Sequence, residues 1–144
     1  MKTILYPQTD GKLAVVYPTS SADIAAEAVK VVPSGTAYLV ADMPSIDHAF
    51  FGAYTFDATA GAVFDAAAAG EIQRNRWRTA RKPLLAALDV AWMKALESGD
   101  TATQTSVTAQ KTALRNVTAT EISGTTPAEI KAAWPEILGT NPYL

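Results

Sequence analysis

The side chains best suited to binding lie in one short stretch, RNRWRTARK, at residues 74–82. It holds five of the chain's twelve basic residues together with Trp77. Arg74, Arg78 and Arg81 are spaced i, i+4 and i+7, so a helix would place them on one side. Arg and Trp are enriched among the anchors of protein interfaces, because they combine large area with directional bonding. The pattern predicts a partner-binding face made of Arg74, Trp77, Arg78 and Arg81.

Two other interpretations of this basic stretch are open. The arginines can form a solvated helix face that pairs with carboxylates of the acidic N-terminal part, worth about 0–1 kcal/mol per exposed pair. Nucleic-acid binding is disfavoured, because the chain has a net charge of −2 and the basic cluster is short, with one aromatic residue. We therefore expect no nucleic-acid partner.

Catalytic arrangements are scarce elsewhere in the sequence. There is no cysteine, which excludes a thiol nucleophile and a cysteine-based zinc site. His48 is the single histidine, and Asp47 beside it would point to the opposite side of an extended backbone. No carboxylates are paired on a helix face, and no glycine-rich phosphate loop occurs. We expect no enzyme activity, no catalytic residues, no metal and no cofactor; a small hydrolase using His48 is the enzymatic alternative.

The chain divides into two parts of different electrostatic character. Residues 1–70 hold three basic and seven acidic residues, whereas residues 71–144 hold nine basic and seven acidic ones. The hydrophobic pattern changes near the same point, from short apolar runs to helical spacing. The sequence predicts an α+β fold, with a small β-rich N-terminal domain at 1–65 and a helical module at 66–144.

The N-terminal domain should contain a hairpin, one helix and further strands. Apolar runs on both sides of Pro7–Gly11 indicate the hairpin, and Ser20 or Ser21 is expected to cap a helix over Asp23–Lys30. Short apolar segments rich in β-branched and aromatic residues predict the remaining strands at 36–40, 50–56 and 62–64.

The helical module should begin with a long helix from about Asp65. Pro83 is expected to kink or break it, because proline lacks a donor and crowds the carbonyl four residues earlier. Asp100 is expected to start a second, antiparallel helix, in which Thr101-x-x-Gln104 matches a capping box. A third, short helix should follow Thr126 and end before Trp134-Pro135. Helical spacing predicts a core-facing stripe at Trp77, Leu84, Leu88, Ala91, Trp92 and Ala95.

The tryptophans are expected to differ in burial. Trp92 should be core, and Trp134 should pack the terminal helix back on the hairpin. Trp77 lies among charged residues, so it is the candidate for a partly exposed contact.

Neither a membrane span nor a secretory leader is expected. No apolar run approaches the roughly 18 residues that would indicate a transmembrane helix, and MKTILYPQTDG lacks the apolar centre of a leader. The sequence therefore predicts a soluble cytosolic protein without a membrane partner.

Three short motifs in the helical module resemble those of the bacteriophage tail assembly chaperone family. They are Arg78-x-x-Arg81-x-x-Leu84-Leu85-x-x-x-Asp89, then Ala113-Leu114-Arg115-Asn116-Val117, then Trp134-Pro135. The resemblance covers about residues 71–137 and departs from the family at Asn116, where Asp is usual, and at Pro83. Residues 33–42 are similar to the small domain that often precedes this module.

The resemblance implies a protein that binds a phage tail fibre or another tail protein and promotes its folding, oligomerisation or attachment. It implies action in the host cytoplasm during assembly, with either release or retention in the virion tail afterwards. The alternative it leaves open is a permanent structural component of the tail, associated with the fibre or the baseplate. A homo-oligomer is also considered.

Overall fold

The computed structural model describes residues 1–19 and 23–144, which form two compact units, Met1–Ala69 and Gly70–Leu144. Antiparallel strands in the first part of the chain are followed by long helices, with 52% helix and 16% strand. This confirms the predicted α+β class. The division between the units falls four residues beyond the boundary expected from the sequence.

The first unit contains a three-stranded antiparallel sheet in the order β2-β1-β3. The predicted hairpin is present as β1 (Lys2–Pro7) and β2 (Leu13–Val16), and β1 also pairs with β3 (Leu39–Asp42). The strand expected at 36–40 begins three residues late. A turn closed by a hydrogen bond from the Thr36 N–H to the Pro33 carbonyl ends where that strand was expected to begin.

A second, two-stranded sheet joins β4 (Tyr54–Asp57) to β5 (Gly61–Phe64). The strand expected at 50–56 is wrong over its first four residues, because His48–Ala53 forms a 3-10 turn instead. The Asp47 carboxylate accepts a hydrogen bond from the Ala49 N–H at 2.9 Å and so caps this turn. An N-terminal cap favours a helical turn over a strand.

Strand β1 is buried on both faces because alternate side chains point to opposite sides. Ile4 packs with Ala28 and Val32 of the segment that includes α1 (Ile24–Val31), whereas Leu5 packs with Leu13 and Tyr54. Helix α1 starts at an N-cap formed by Asp23, whose carboxylate accepts from the Ala26 N–H. The cap expected at Ser20 or Ser21 lies outside the described residues.

The predicted start of the long helix and the turn that follows it are confirmed. Helix α2 spans Ala66–Glu97, and the Asp65 carboxylate accepts from the Ala68 N–H at 3.0 Å. Helix α3 spans Thr101–Asn116 after a turn in which Gly99 has a φ of +71°. Asp100 is the N-cap, so the capping box expected at Thr101 is wrong: the preceding carboxylate already takes that position.

The chain then returns through three short helical segments: 3-10 turns at Val117–Ala119 and Glu136–Leu138, and α4 (Pro127–Ala132) between them. The capping box predicted for α4 is present, with Thr126 and Glu129 bonding each other's backbone N–H. The helix ends before Trp134-Pro135, as predicted.

Of the kink or break expected at Pro83, the break is wrong, because α2 continues through that residue. Proline removes one intrahelical hydrogen bond, leaving the Thr79 carbonyl without its usual donor. Both residues are exposed, so water can satisfy that carbonyl at little cost. Good helix formers on either side, including Leu84 and Ala86, favour continuation.

Among the residues that the structure describes, no helix is long and apolar enough to cross a membrane.

Candidate partner-binding surface

Trp77 is a core residue and not a surface contact. Its exposed fraction is 1%, and it forms a cluster with Leu114, Val117 and Leu138. The expectation of a partly exposed partner contact was therefore wrong. The charged neighbours that suggested exposure point to other sides of the helix, because successive residues are rotated by about 100°.

The indole of Trp77 also holds the C-terminal segment in place. Its Nε1–H donates to the Ala133 carbonyl at 3.1 Å. Gln73, which is fully buried, donates through Nε2 to the same carbonyl at 3.0 Å and to the Lys131 carbonyl at 3.3 Å. Since α4 ends here, these side chains satisfy carbonyls that no following helical turn can reach.

A second layer of contacts joins α2 to the same segment. The Arg76 guanidinium lies over the Tyr143 ring, 4.3 Å from its centroid, and donates to the Gln73 carboxamide oxygen at 3.0 Å. Tyr143 packs against Trp134 with the ring centroids 5.8 Å apart. The N-terminal half of α2 is therefore the platform on which the chain's own C-terminal segment lies.

Gln73 and Arg76 were missed from the sequence. The available signal was Gln73, which precedes Trp77 by four residues and so shares its helix face. A polar residue on a core-facing stripe normally has buried hydrogen-bond partners, but its partners lie about sixty residues away along the chain and could not be named.

Arg81 joins α2 to the end of α3. Its Nη1 donates to the carbonyls of Leu114 and Arg115, at 3.4 and 2.8 Å. A cation is favoured there, because the last carbonyls of a helix are unpaired and carry partial negative charge. Arg81 was expected to bind a partner, but these internal bonds give it a structural role.

Arg74 and Arg78 are the predicted site residues that stay near the surface. Arg74 pairs with Glu71 at 2.7 Å, and Arg78 bonds the Asn75 side chain at 2.6 Å and lies 3.7 Å from Glu71. The exposed fractions of the two side chains are 26% and 41%. Pairs of this kind contribute little to stability, so a partner carboxylate could replace Glu71.

The structure therefore divides the four predicted residues into two pairs. Trp77 is buried in the second unit and Arg81 bonds the end of α3, whereas Arg74 and Arg78 form a small cationic surface next to Glu71. We call Arg74 and Arg78 the cationic pair.

The residues of the family-like motifs lie around one core. Leu84, Leu85 and Trp134 pack against the Trp77 cluster. Asp89 forms an ion pair with Lys111 at 2.5 Å and so links α2 to α3. Together with the bonds of Arg81, these contacts join all three motifs within the second unit.

Beside this core, α2 and α3 leave an apolar groove of about 240 Å³. Gln110 provides its polar lining, and none of the lining residues described there is titratable. It offers surface for apolar contacts and no group for acid–base chemistry. The lining residues are Leu84, Ala87, Leu88, Gln110, Leu114 and Ile137.

His48 occupies a structural position in the first unit. It begins the 3-10 turn, and its ring stacks on Phe51 with the centroids 6.3 Å apart. The Asp47 carboxylate bonds the backbone at Ala49. Within the described ranges, no group of three or more His, Cys, Asp or Glu side chains could hold a metal ion.

Comparisons with protein-family models, with curated proteins and with solved structures found no match for this chain.

Proposed function

We propose that this protein is a bacteriophage tail assembly chaperone, which binds a tail fibre or another tail protein and promotes its folding, oligomerisation or attachment. The supporting observation is that the residues of the three family-like motifs make contacts with one another. Arg81 bonds the end of α3 at Leu114 and Arg115, and Trp134 packs on the same core. Contact between the motifs in space supports the resemblance to this module better than their order along the chain does.

The cationic pair is the proposed contact with the partner. Arg74 and Arg78 are on the same side of α2, one helical turn apart. Their present partner, Glu71, is an exposed carboxylate on the same helix. A carboxylate of the fibre would bond the same guanidinium groups, and arginine can bind a carboxylate through two parallel hydrogen bonds. The partner surface is therefore proposed to be acidic.

Co-expression with the fibre protein of the same phage tests the chaperone role. The fibre should be soluble and trimeric when this protein is present, and largely insoluble when it is absent. A fibre that is equally soluble and trimeric with and without this protein would contradict the chaperone role. Stoichiometric recovery of this protein from purified particles would instead favour a permanent component of the tail.

Arg78→Glu tests the contact, with Lys94→Glu as the matched control. Both substitutions change an exposed cation of α2 to an anion, so their effects on net charge are equal. Arg78→Glu should weaken fibre binding in calorimetry by about tenfold or more, and Lys94→Glu should leave it unchanged. Equal affinities for the two variants would exclude Arg78 from the interface, even if the chaperone activity itself is present.

A further inference from the structure

The outward face of α2 is an apolar stripe with opposite charges at its two ends. Lys82, Ala86, Val90, Met93 and Glu97 follow one another at intervals of four, four, three and four residues, so they share one side of the helix. Val90 is 56% exposed and Met93 is 51% exposed. This side is opposite the one that carries the buried core residues. We call these five residues the outer stripe.

The outer stripe carries an opposite charge at each end, Lys82 at one and Glu97 at the other. Among the residues that the structure describes, neither the Lys82 nor the Glu97 side chain forms an ion pair or hydrogen bond. Asp89 lies on the flank of the stripe, but its charge is matched by Lys111 at 2.5 Å. The stripe therefore offers one free cation, an apolar centre and one free anion, in that order.

This order is self-complementary. Lys82 and Glu97 are equally far from the midpoint between Asp89 and Val90, and so are Ala86 and Met93. An antiparallel copy of the helix, related by a two-fold axis through that midpoint, therefore faces Lys82 with Glu97 and the small Ala86 with the long Met93. Two-fold contacts pair the same patch on both copies, so each favourable pair occurs twice.

We propose that the outer stripe binds the outer stripe of a second copy of this chain, with the two α2 helices antiparallel. Val90 of each copy lies next to the axis, where the two apolar centres exclude water. A β-branched residue in an exposed helix interior has no advantage in propensity. Contact with a second copy gives the exposed Val90 side chain an apolar environment.

The size of the stripe indicates a reversible dimer. From Lys82 to Glu97 there are fifteen residue steps, or about 22 Å at about 1.5 Å per residue. With a helix width of about 10 Å, the stripe has an outline of roughly 220 Å². A stable interface buries about 800 Å² on each partner. Since the stripe is much smaller than that, we expect a weak, reversible dimer that is populated only at high protein concentration.

Sedimentation velocity over a concentration series of the full chain tests the proposal. The weight-average mass should rise from the monomer mass of 15.2 kDa toward twice that value. Val90→Glu places two carboxylates beside the axis and should weaken association by about a hundredfold. Glu is a good helix former, so the fold should survive, and circular dichroism checks this. Val29→Glu is the matched control, since Val29 is an exposed valine on α1.

A charge exchange tests the antiparallel register. Lys82→Glu brings two like-charged pairs together and should weaken association by about tenfold. Adding Glu97→Lys to the same chain restores both attractive pairs and should recover the wild-type association. A wild-type protein that stays monomeric throughout the series, or equal effects of Val90→Glu and Val29→Glu, would overturn the proposal. Failure of the double variant to recover would overturn the register.

Discussion

Removing the two side chains that hold the Ala133 carbonyl should reveal strong coupling between them. Trp77 and Gln73 are both buried, and each donates a hydrogen bond to that oxygen. Either one can be replaced without leaving the carbonyl unpaired, because the other donor stays. Replacing both leaves it without a side-chain donor. The double variant should therefore be less stable than the sum of the single variants predicts.

The magnitudes follow from the groups removed. Trp77→Phe loses one hydrogen bond, worth about 1 kcal/mol, and two buried ring carbons, worth about 1.6 kcal/mol at about 0.8 kcal/mol per carbon group. Gln73→Leu loses polar contacts, partly offset by apolar burial, for a cost of about 1–2 kcal/mol. In the double variant the unpaired Ala133 carbonyl adds about 1–2 kcal/mol of coupling.

Urea unfolding followed by far-ultraviolet circular dichroism measures these values, and sucrose keeps the least stable variant folded. The helical signal comes mainly from the second unit, which contains α2 and α3. Additivity of the two substitutions to within about 0.5 kcal/mol would refute the shared acceptor. A cost below about 0.5 kcal/mol for Trp77→Phe would refute the burial of Trp77 and restore its role as a surface contact.

Two further predictions concern Pro83 and the acidic caps. Pro83→Ala should raise the free energy of unfolding by about 1–3 kcal/mol, because it restores the hydrogen bond to the Thr79 carbonyl; a lower urea midpoint would show that the proline ring itself stabilises α2. Backbone hydrogen bonds lower the pKa of Asp57 below its ordinary value of 3.8. The Thr103 hydroxyl and N–H lower the pKa of Asp100 below the same value. The N–H groups of residues 125 and 126 lower the pKa of Glu129 below its ordinary value of 4.5. At pH values near these ordinary pKa values, the folded state therefore binds fewer protons than the unfolded state. The stability that the three carboxylates contribute is complete above their ordinary pKa values and is lost as pH falls through the lowered pKa values. The melting temperature should fall over that range, and an unchanged or rising value there would contradict the assignment.

Local signals in the sequence predicted much of the fold. Turn residues defined the first hairpin, Asp100 and Thr126 defined two helix starts, and helical spacing identified a core-facing stripe that includes Leu84 and Leu88. These features depend on residues within a few positions of one another. The error at 50–56 arose because burial of Phe50 and the cap at Asp47 outweighed a β-rich composition.

The candidate site was less predictable because its contacts are distant in sequence. Arg81 has the same spacing whether it binds a partner or the end of α3, and only the fold determines which acceptor it reaches. Trp77 likewise has charged neighbours along the chain and apolar neighbours in space. Arg74 and Arg78 do share one side of α2, as their helical spacing predicted, because that spacing depends on neighbouring residues alone.

The bonds from α2 to the C-terminal segment also affect how fast the second unit can fold. Trp77 and Gln73 reach Ala133 across 56 and 60 residues, whereas helical turns of α2 and α3 involve neighbours only. Helices form within about a microsecond, but closing a long loop carries an entropic cost that contacts must repay. We expect helical structure to appear before the indole of Trp77 is covered. The second unit should therefore fold more slowly than its helical content suggests, because its relative contact order exceeds that of a simple helical hairpin.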